Sequence, residues 1–173
     1  MTESSQRISA LVRAALFVDD LPRSKRFYQA IGLTAIYYED CLSGESTPAV
    51  LALPAGTETR CCILKPEGGQ NKGMVGLFAL TEPQPPKLAR SAVGPSRGEV
   101  ALVFYVDDVG VTLNAAEAAG GQRLADPINY EMPHRSQPEV CLRDPDGILI
   151  NLVQRPPEET EDTRSALEIA GAI

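Results

Sequence analysis

The chain repeats itself. The run Arg13-Ala-Ala-Leu-Phe-Val-Asp-Asp-Leu21 has a counterpart in Ala101-Leu-Val-Phe-Tyr-Val-Asp-Asp-Val109. Asp19 matches Asp107 and Gly32 matches Gly120, both at an offset of 88 residues (107 − 19 and 120 − 32). A repeat of this length restricts the fold to two copies of one supersecondary unit. Each copy opens with a strand-like run, passes through an aspartate-rich turn into a helical pattern, and stops at glycine. Asp20 and Asp108 fall where a side-chain oxygen accepts from the free N–H groups of a first helical turn, and their charge suits the helix dipole. Pro22 sits where its missing N–H costs nothing. Ser24, Phe27, Tyr28 and Ile31 share one helical face, as do Val109, Thr112, Leu113 and Ala116. Gly32 and Gly120 supply the left-handed residue that ends a helix.

Strand-like runs follow each helix: Thr34–Glu39, Pro48–Leu53 and Arg60–Lys65 in the first half, Gln122–Ile128, Pro138–Arg143 and Ile148–Val153 in the second. The last two are joined by Asp144-Pro-Asp-Gly147, with proline and glycine where a tight reversal favours them. Each half therefore reads β-α-β-β-β, an α+β arrangement spanning residues 8–66 and 98–155. Residues 67–97 form a connection dense in proline and glycine, whose apolar run Met74–Leu80 is a possible extra strand. From 156 onward the tail is acidic, with a weak helical pattern at Ala166–Ile169, and reads as an appendage.

Charge and cysteine content narrow the partners. A net charge of -7 with a pI of about 4.8 argues against nucleic acid, which would repel the chain. No apolar run is long enough to span a bilayer, and residues 1–10 lack the apolar core of a signal peptide. The expectation is a cytoplasmic protein whose four cysteines (Cys41, Cys61, Cys62, Cys141) are reduced thiols. Cys61 and Cys62 are adjacent in a strand, so their side chains point to opposite faces, a poor metal clamp.

Taken together, Val18-Asp-Asp-Leu21, Phe27-Tyr28, Ile31-Gly-Leu33 and Arg143-Asp-Pro-Asp-Gly147 before Ile148–Leu152 resemble the vicinal oxygen chelate superfamily. That superfamily includes glyoxalase I, extradiol dioxygenases, methylmalonyl-CoA epimerase, and fosfomycin- and bleomycin-resistance proteins. The resemblance implies two βαβββ modules curving mixed sheets around a shared cavity, commonly in a homodimer. It also implies four metal-ligand positions in the enzymes, one on the first and one on the last strand of each module. Here those positions are Arg13, Ala101 and Asn151, with the fourth at Ile63 by the 88-residue offset, or at Gly76 if Met74–Leu80 is the fourth strand. Arginine, alanine, isoleucine and glycine offer no side-chain lone pair to a metal, and a single neutral asparagine is a poor ligand set. Neither a metal nor another cofactor is therefore expected.

Strand alternation places Arg13, Ala15 and Phe17 on one face, with Ala101, Val103 and Tyr105, and Leu149, Asn151 and Val153, on the corresponding face of the second half. Arg13, Phe17, Val103, Tyr105 and Asn151 are the candidate ligand-binding residues of a largely apolar pocket. Arg13 either pairs with a ligand oxygen or forms a salt bridge with a neighbouring acid. His134, the single histidine, and Glu131 are the candidate acid–base groups. Both sit in Tyr130-Glu-Met-Pro-His-Arg135, which reads as a loop, and the bland alternative is solvent exposure. Gly68-Gly-Gln-Asn-Lys-Gly73 lacks the ending of a P-loop and reads as a flexible loop. Cys141 has no activating base nearby in sequence. The leading expectation is a metal-free protein binding a small, largely apolar molecule in the inter-module cavity. The alternatives are a lyase, isomerase or dioxygenase-related enzyme of the same superfamily, and a non-catalytic interaction module.

Overall fold

The computed structural model describes residues 8–91, 94–132 and 135–156. The acidic tail beyond 156 and His134 lie outside the described residues. The chain divides into two compact units, Met1–Lys87 and Leu88–Ile173.

In the first unit, strand β1 (Arg13–Phe17) leads into helix α1 (Leu21–Ala30). Asp20 starts the helix as expected, its Oδ1 accepting from the Arg23 N–H at 2.9 Å. Gly32 ends it at φ 114°, a conformation that a residue with a Cβ rarely adopts. Leu21, Ser24, Phe27 and Tyr28 form the buried stripe, and the helix lies against β3 (Thr59–Lys65) and β4 (Met74–Leu80). β2 (Ala35–Leu42) completes a four-stranded sheet in the order β1-β4-β3-β2, with β1 and β4 parallel.

One expectation fails here, and one open alternative is decided. Pro48–Leu53 is not a strand, because Ser46–Leu51 is the short helix α2, closed by Ala52 at φ 53°. A short apolar run cannot be assigned by periodicity alone, and a proline in the first helical turn loses no hydrogen bond. Of the two readings of Met74–Leu80, the structure takes the second: it is the fourth strand of the first sheet, paired with β1 and β3.

The second unit repeats the plan. β5 (Ala101–Val106) leads into α3 (Val109–Ala118), which starts 88 residues after α1 (109 − 21). Asp108 Oδ1 accepts from the Val111 N–H at 2.8 Å, and Gly120 closes the helix at φ 97°. The expected strand Gln122–Ile128 is instead two pieces, β6 (Gln122–Arg123) and β7 (Ile128–Met132). β8 (Arg135–Arg143) and β9 (Leu149–Gln154) complete a sheet in which β5 pairs with β9 in parallel. Tyr130–Met132 and Arg135, read from sequence as loop, are paired strand residues, Met132 opposite Arg135.

The β8–β9 turn is held from inside. Asp144, 4% exposed, accepts through Oδ1 from the N–H groups of Asp146 and Ile148 at 2.9 and 2.7 Å. Arg143 Nη1 donates to the Gly147 carbonyl at 2.8 Å, and its guanidinium is forked onto Glu99. The Arg143 hydrogen bond, helped by the Ser96 N–H, holds the Glu99 carboxyl down at about 2. Its folded pKa lies below the unfolded value, so the stabilisation is fully present above about pH 5 and is lost as pH falls towards 2. Glu99→Gln removes that dependence. Urea midpoints measured from neutral pH down to about pH 3 should fall more steeply in the wild type than in the variant.

Candidate functional site

Each helix covers one face of its own sheet and thereby fixes what the far face presents. In the first unit Leu16 is buried on the α1 side, while Arg13, Ala15 and Phe17 are exposed on the far face. The parallel register sets Gly76 of β4 beside Ala15, and Phe78 beside Phe17. The two phenylalanine rings lie 6.1 Å apart. A Cβ built on Gly76 would come within 2.9 Å of Phe78 Cε2 and 3.5 Å of Arg13 Cδ. The Phe78 ring and the Arg13 stem thus occupy the space over Gly76. On the same face Cys61, Ile63 and Met74 form a buried cluster, with Leu42 and Phe78 packed against it. Burial pushes the Cys61 thiol up, and the nearby Arg13 charge opposes that shift. Among the described residues, no hydrogen-bond or ion-pair partner is found for Arg13.

In the second unit Ile150 and Leu152 face α3, and Ala101, Val103 and Tyr105 are exposed on the far face. Register places Asn151 beside Val103 and Cys141, and Val153 beside Tyr105 and Glu139. Along β8, Arg135, Gln137, Glu139 and Cys141 alternate with the inward Val140 and Leu142. Asn151 Nδ2 donates to Glu139 Oε2 at 3.0 Å, and Gln137 Nε2 lies 3.5 Å from Glu139 Oε1. Arg135 Nη1 donates to the Tyr105 hydroxyl at 2.6 Å, with the guanidinium 5.7 Å from the ring centroid.

The structure therefore puts Arg13 and Phe17 together on one far face, and Val103, Tyr105 and Asn151 together on the other. It does not add Glu131 to them. Glu131 pairs with Ser136 in the ladder and accepts from its hydroxyl at 2.6 Å, which directs it to the face opposite Gln137 and Glu139. The polar row Gln137–Glu139–Asn151 and the Phe78 ring were missed from sequence. Alternation along Pro138–Arg143 already set Glu139 and Cys141 opposite Val140 and Leu142. Phe78 becomes visible once Met74–Leu80 is paired with β1.

Residues 10–152 match the Glyoxalase/Bleomycin resistance protein/Dioxygenase superfamily. The chain belongs to this superfamily. A search of curated proteins finds no match. Among solved structures, a glyoxalase family protein from Bacillus cereus is similar at 19% identity and a TM-score of 0.75, over 88% of this chain and 98% of that one. The fosfomycin resistance protein FosX from Listeria monocytogenes, solved with Mn(II) and 1S,2S-dihydroxypropylphosphonic acid, gives 14% and 0.52, over 88% and 94%. A glyoxalase I variant from Zea mays gives 20% and 0.53, over 82% of this chain and 44% of that one. At these identities the likeness is one of fold.

Superfamily enzymes place metal ligands on the first and last strands of each module, and the register now assigns those positions. Ala15 pairs with Gly76 as Val103, 88 residues on, pairs with Asn151. Gly76 is thus the counterpart of Asn151. Ile63 lies one strand further in, beside Gly76 as Cys141 lies beside Asn151, so the Ile63 alternative is set aside. Arg13, Gly76, Ala101 and Asn151 offer a divalent ion one neutral side-chain oxygen, which does not fit the ligand set such an ion needs. Among the described residues no group of three histidine, cysteine or carboxylate side chains is placed to hold one.

Two other sequence candidates lose their chemistry. Lys65 Nζ donates to the Gly69 carbonyl and Asn71 Oδ1, both at 2.9 Å, so it ties down the Gly68–Gly73 loop. Burial, with Glu139 beside it, raises the Cys141 thiol, the reverse of nucleophile activation. Burial likewise pushes Cys62 up to about 11. Iodoacetamide at neutral pH should alkylate the exposed Cys41 first, with Cys61, Cys62 and Cys141 reacting only on unfolding. Peptide mapping by mass spectrometry reads the order, and early labelling of Cys141 would contradict it.

Proposed function

We propose that this protein is a metal-free member of the superfamily that binds a small, largely apolar molecule on the far faces of its sheets. The observation that carries this reading is Arg13. It occupies a position where superfamily enzymes carry a metal ligand, stands exposed without an ion-pair partner among the described residues, and shares its face with Phe17 and Phe78. A guanidinium there holds a carboxylate, enolate or carbonyl oxygen with a fixed positive charge, in a planar fork suited to bidentate contact. Phe17 and Phe78 on the same face supply apolar contact for the rest of the molecule. An acid–base mechanism gains no support from Glu131, which points to the opposite face. On family membership we expect a homodimer, to be checked by solution mass.

Two measurements test the reading. Purified protein dialysed against buffer should retain no stoichiometric divalent metal by elemental analysis. Metal retained at one equivalent per chain and lost in Asn151→Ala would overturn the metal-free assignment. For the arginine, calorimetric titration with a small aromatic carboxylate such as 3-phenylpropanoate should show binding. Arg13→Ala should weaken it by about 1.5–3 kcal/mol, the range for a hydrogen bond to a charged group, without lowering the melting temperature. Arg13→Lys should restore part of the loss. Unchanged affinity in Arg13→Ala would remove Arg13 from the site.

A further inference from the structure

The segment that leads into β5 is fastened to the second unit by polar contacts rather than by packing. Residues 94–98 are exposed or half-exposed, none joins the buried core, and Val100 beyond them is 70% exposed. What holds the segment is Glu99. Its carboxylate takes the fork of Arg143, with Nη2 at 3.3 Å, and lies 3.6 Å from Arg90 Nε. It also accepts from the Ser96 N–H at 2.8 Å. Arg143 Nη2 donates to the Gly94 carbonyl at 3.3 Å, and Arg90 Nη1 to the Asp146 carbonyl at 2.9 Å. Two guanidinium groups thus meet on one carboxylate at the β8–β9 turn.

The backbone of the segment is suited to movement. Gly94 and Gly98 sit at φ 70° and 87°, and a Cβ built on either would meet nothing within 4 Å. Space does not call for glycine at these positions; the left-handed backbone does, and glycine changes φ there at little cost. The fastening is also of a kind that parts readily. The side chains of Glu99 and Arg143 are only 9% and 11% exposed, so pairing strips both of hydration and parting returns it. With little apolar surface to uncover, opening lacks the penalty that keeps core elements shut.

We propose that residues 94–99 are a strap that opens as a unit when Glu99 lets go of Arg143, and that opening uncovers the Arg143 guanidinium on the far face of the second unit. Arg143 shares its face of β8 with Cys141 and Glu139 and lies opposite Leu149. With the strap closed, Arg143 Nη2 is spent on Gly94 and Glu99. With it open, Arg143 keeps the Gly147 carbonyl, 2.8 Å from Nη1, which holds the guanidinium in place while its other edge is released. That face gains a further cation only in the open state, so the strap regulates the charge it presents. Arg13, by contrast, is displayed at all times.

Native-state hydrogen exchange on the full chain tests the opening. The amides of Ser96 and Glu99, both bonded within the strap, should exchange faster than those of Ile150 and Leu152 in β9. Low urea should speed the β9 amides and leave the strap amides almost unchanged, because a local opening exposes little surface. In Glu99→Gln the strap amides should exchange at least about tenfold faster, the scale of a lost hydrogen bond to a charged group. Phenylglyoxal, followed by peptide mass spectrometry, should modify Arg143 in that variant nearly as fast as the exposed Arg97, and far more slowly in the wild type. Strap amides that match Ile150 and Leu152 in rate and urea dependence would mean that the segment opens only on global unfolding, and would overturn the strap. That measurement is made on the wild type, so it decides the matter even where Glu99→Gln fails to fold. Unchanged strap exchange in Glu99→Gln would remove Glu99 as the latch. Arg143 modified no faster in the variant than in the wild type would overturn its uncovering.

Discussion

In each unit the first strand pairs in parallel with the last, and every site residue takes its direction from that pairing. A parallel pair needs a crossover, and the crossover begins with the helix that lies on one face of the sheet. Once Leu16, Phe27 and Tyr28 are sealed together beneath α1, alternation leaves Arg13 and Phe17 no choice of face. The same holds for Val103 and Tyr105 once Ile150, Leu152 and Leu113 are packed. A shift of one residue in either register would bury Arg13 or Glu139 in a core. Core packing therefore also fixes which charged groups the far faces display.

Where sequence reasoning succeeded, it rested on signals confined to a few neighbouring residues. Asp20 and Asp108 announce helix starts because their oxygens reach backbone donors three residues on. Gly32 and Gly120 announce the stops because a Cβ there would be strained. The alternation of Arg13-Ala-Ala-Leu-Phe17 gave the correct face for every residue in it. Failures came where partners are distant in sequence. Pro48–Leu53 and Met74–Leu80 are both short apolar runs, and what separates helix from strand is that Met74–Leu80 finds β1, some sixty residues earlier. The position equivalent to Asn151 was uncertain for the same reason. The two halves keep a constant offset through the helix and lose it afterwards, because α2 and the Gly68–Gly73 loop in the first unit have no counterparts of equal length in the second.

The candidate site was partly legible. Arg13, Phe17, Val103, Tyr105 and Asn151 are local inferences from alternation, and the structure keeps each on its expected face. Glu131 stands three residues from His134 in sequence, but its pairing with Ser136 turns it away from Gln137 and Glu139. Glu139 lay within reach of the same alternation argument, but its significance depends on Asn151 and Gln137 being spent on it. That is a property of side-chain partners across two strands, which no single run of residues reveals.

At the first unit's two ligand positions, Arg13 and Gly76, more stands against a metal than two absent donor atoms. The space that a ligand on β4 would occupy is taken by the Phe78 ring and the Arg13 stem, both of which close over Gly76. Restoring a donor by Gly76→His would force the ring aside and bring a divalent ion beside a guanidinium that is always charged. Like charges at contact distance repel by about 4 kcal/mol for each unit pair at a protein surface, and twice that for a doubly charged ion. A single substitution therefore has little to gain. Arginine and glycine reinforce one another: the glycine leaves room for the arginine stem and the aromatic ring, and the arginine makes a cation unwelcome. On the far face of the second unit Asn151 donates to the Glu139 carboxylate, and Arg135 on the same strand face donates to Tyr105. At the family's ligand positions the first unit therefore sets a fixed charge, Arg13 over Gly76, and the second sets an amide spent on a carboxylate, Asn151 on Glu139.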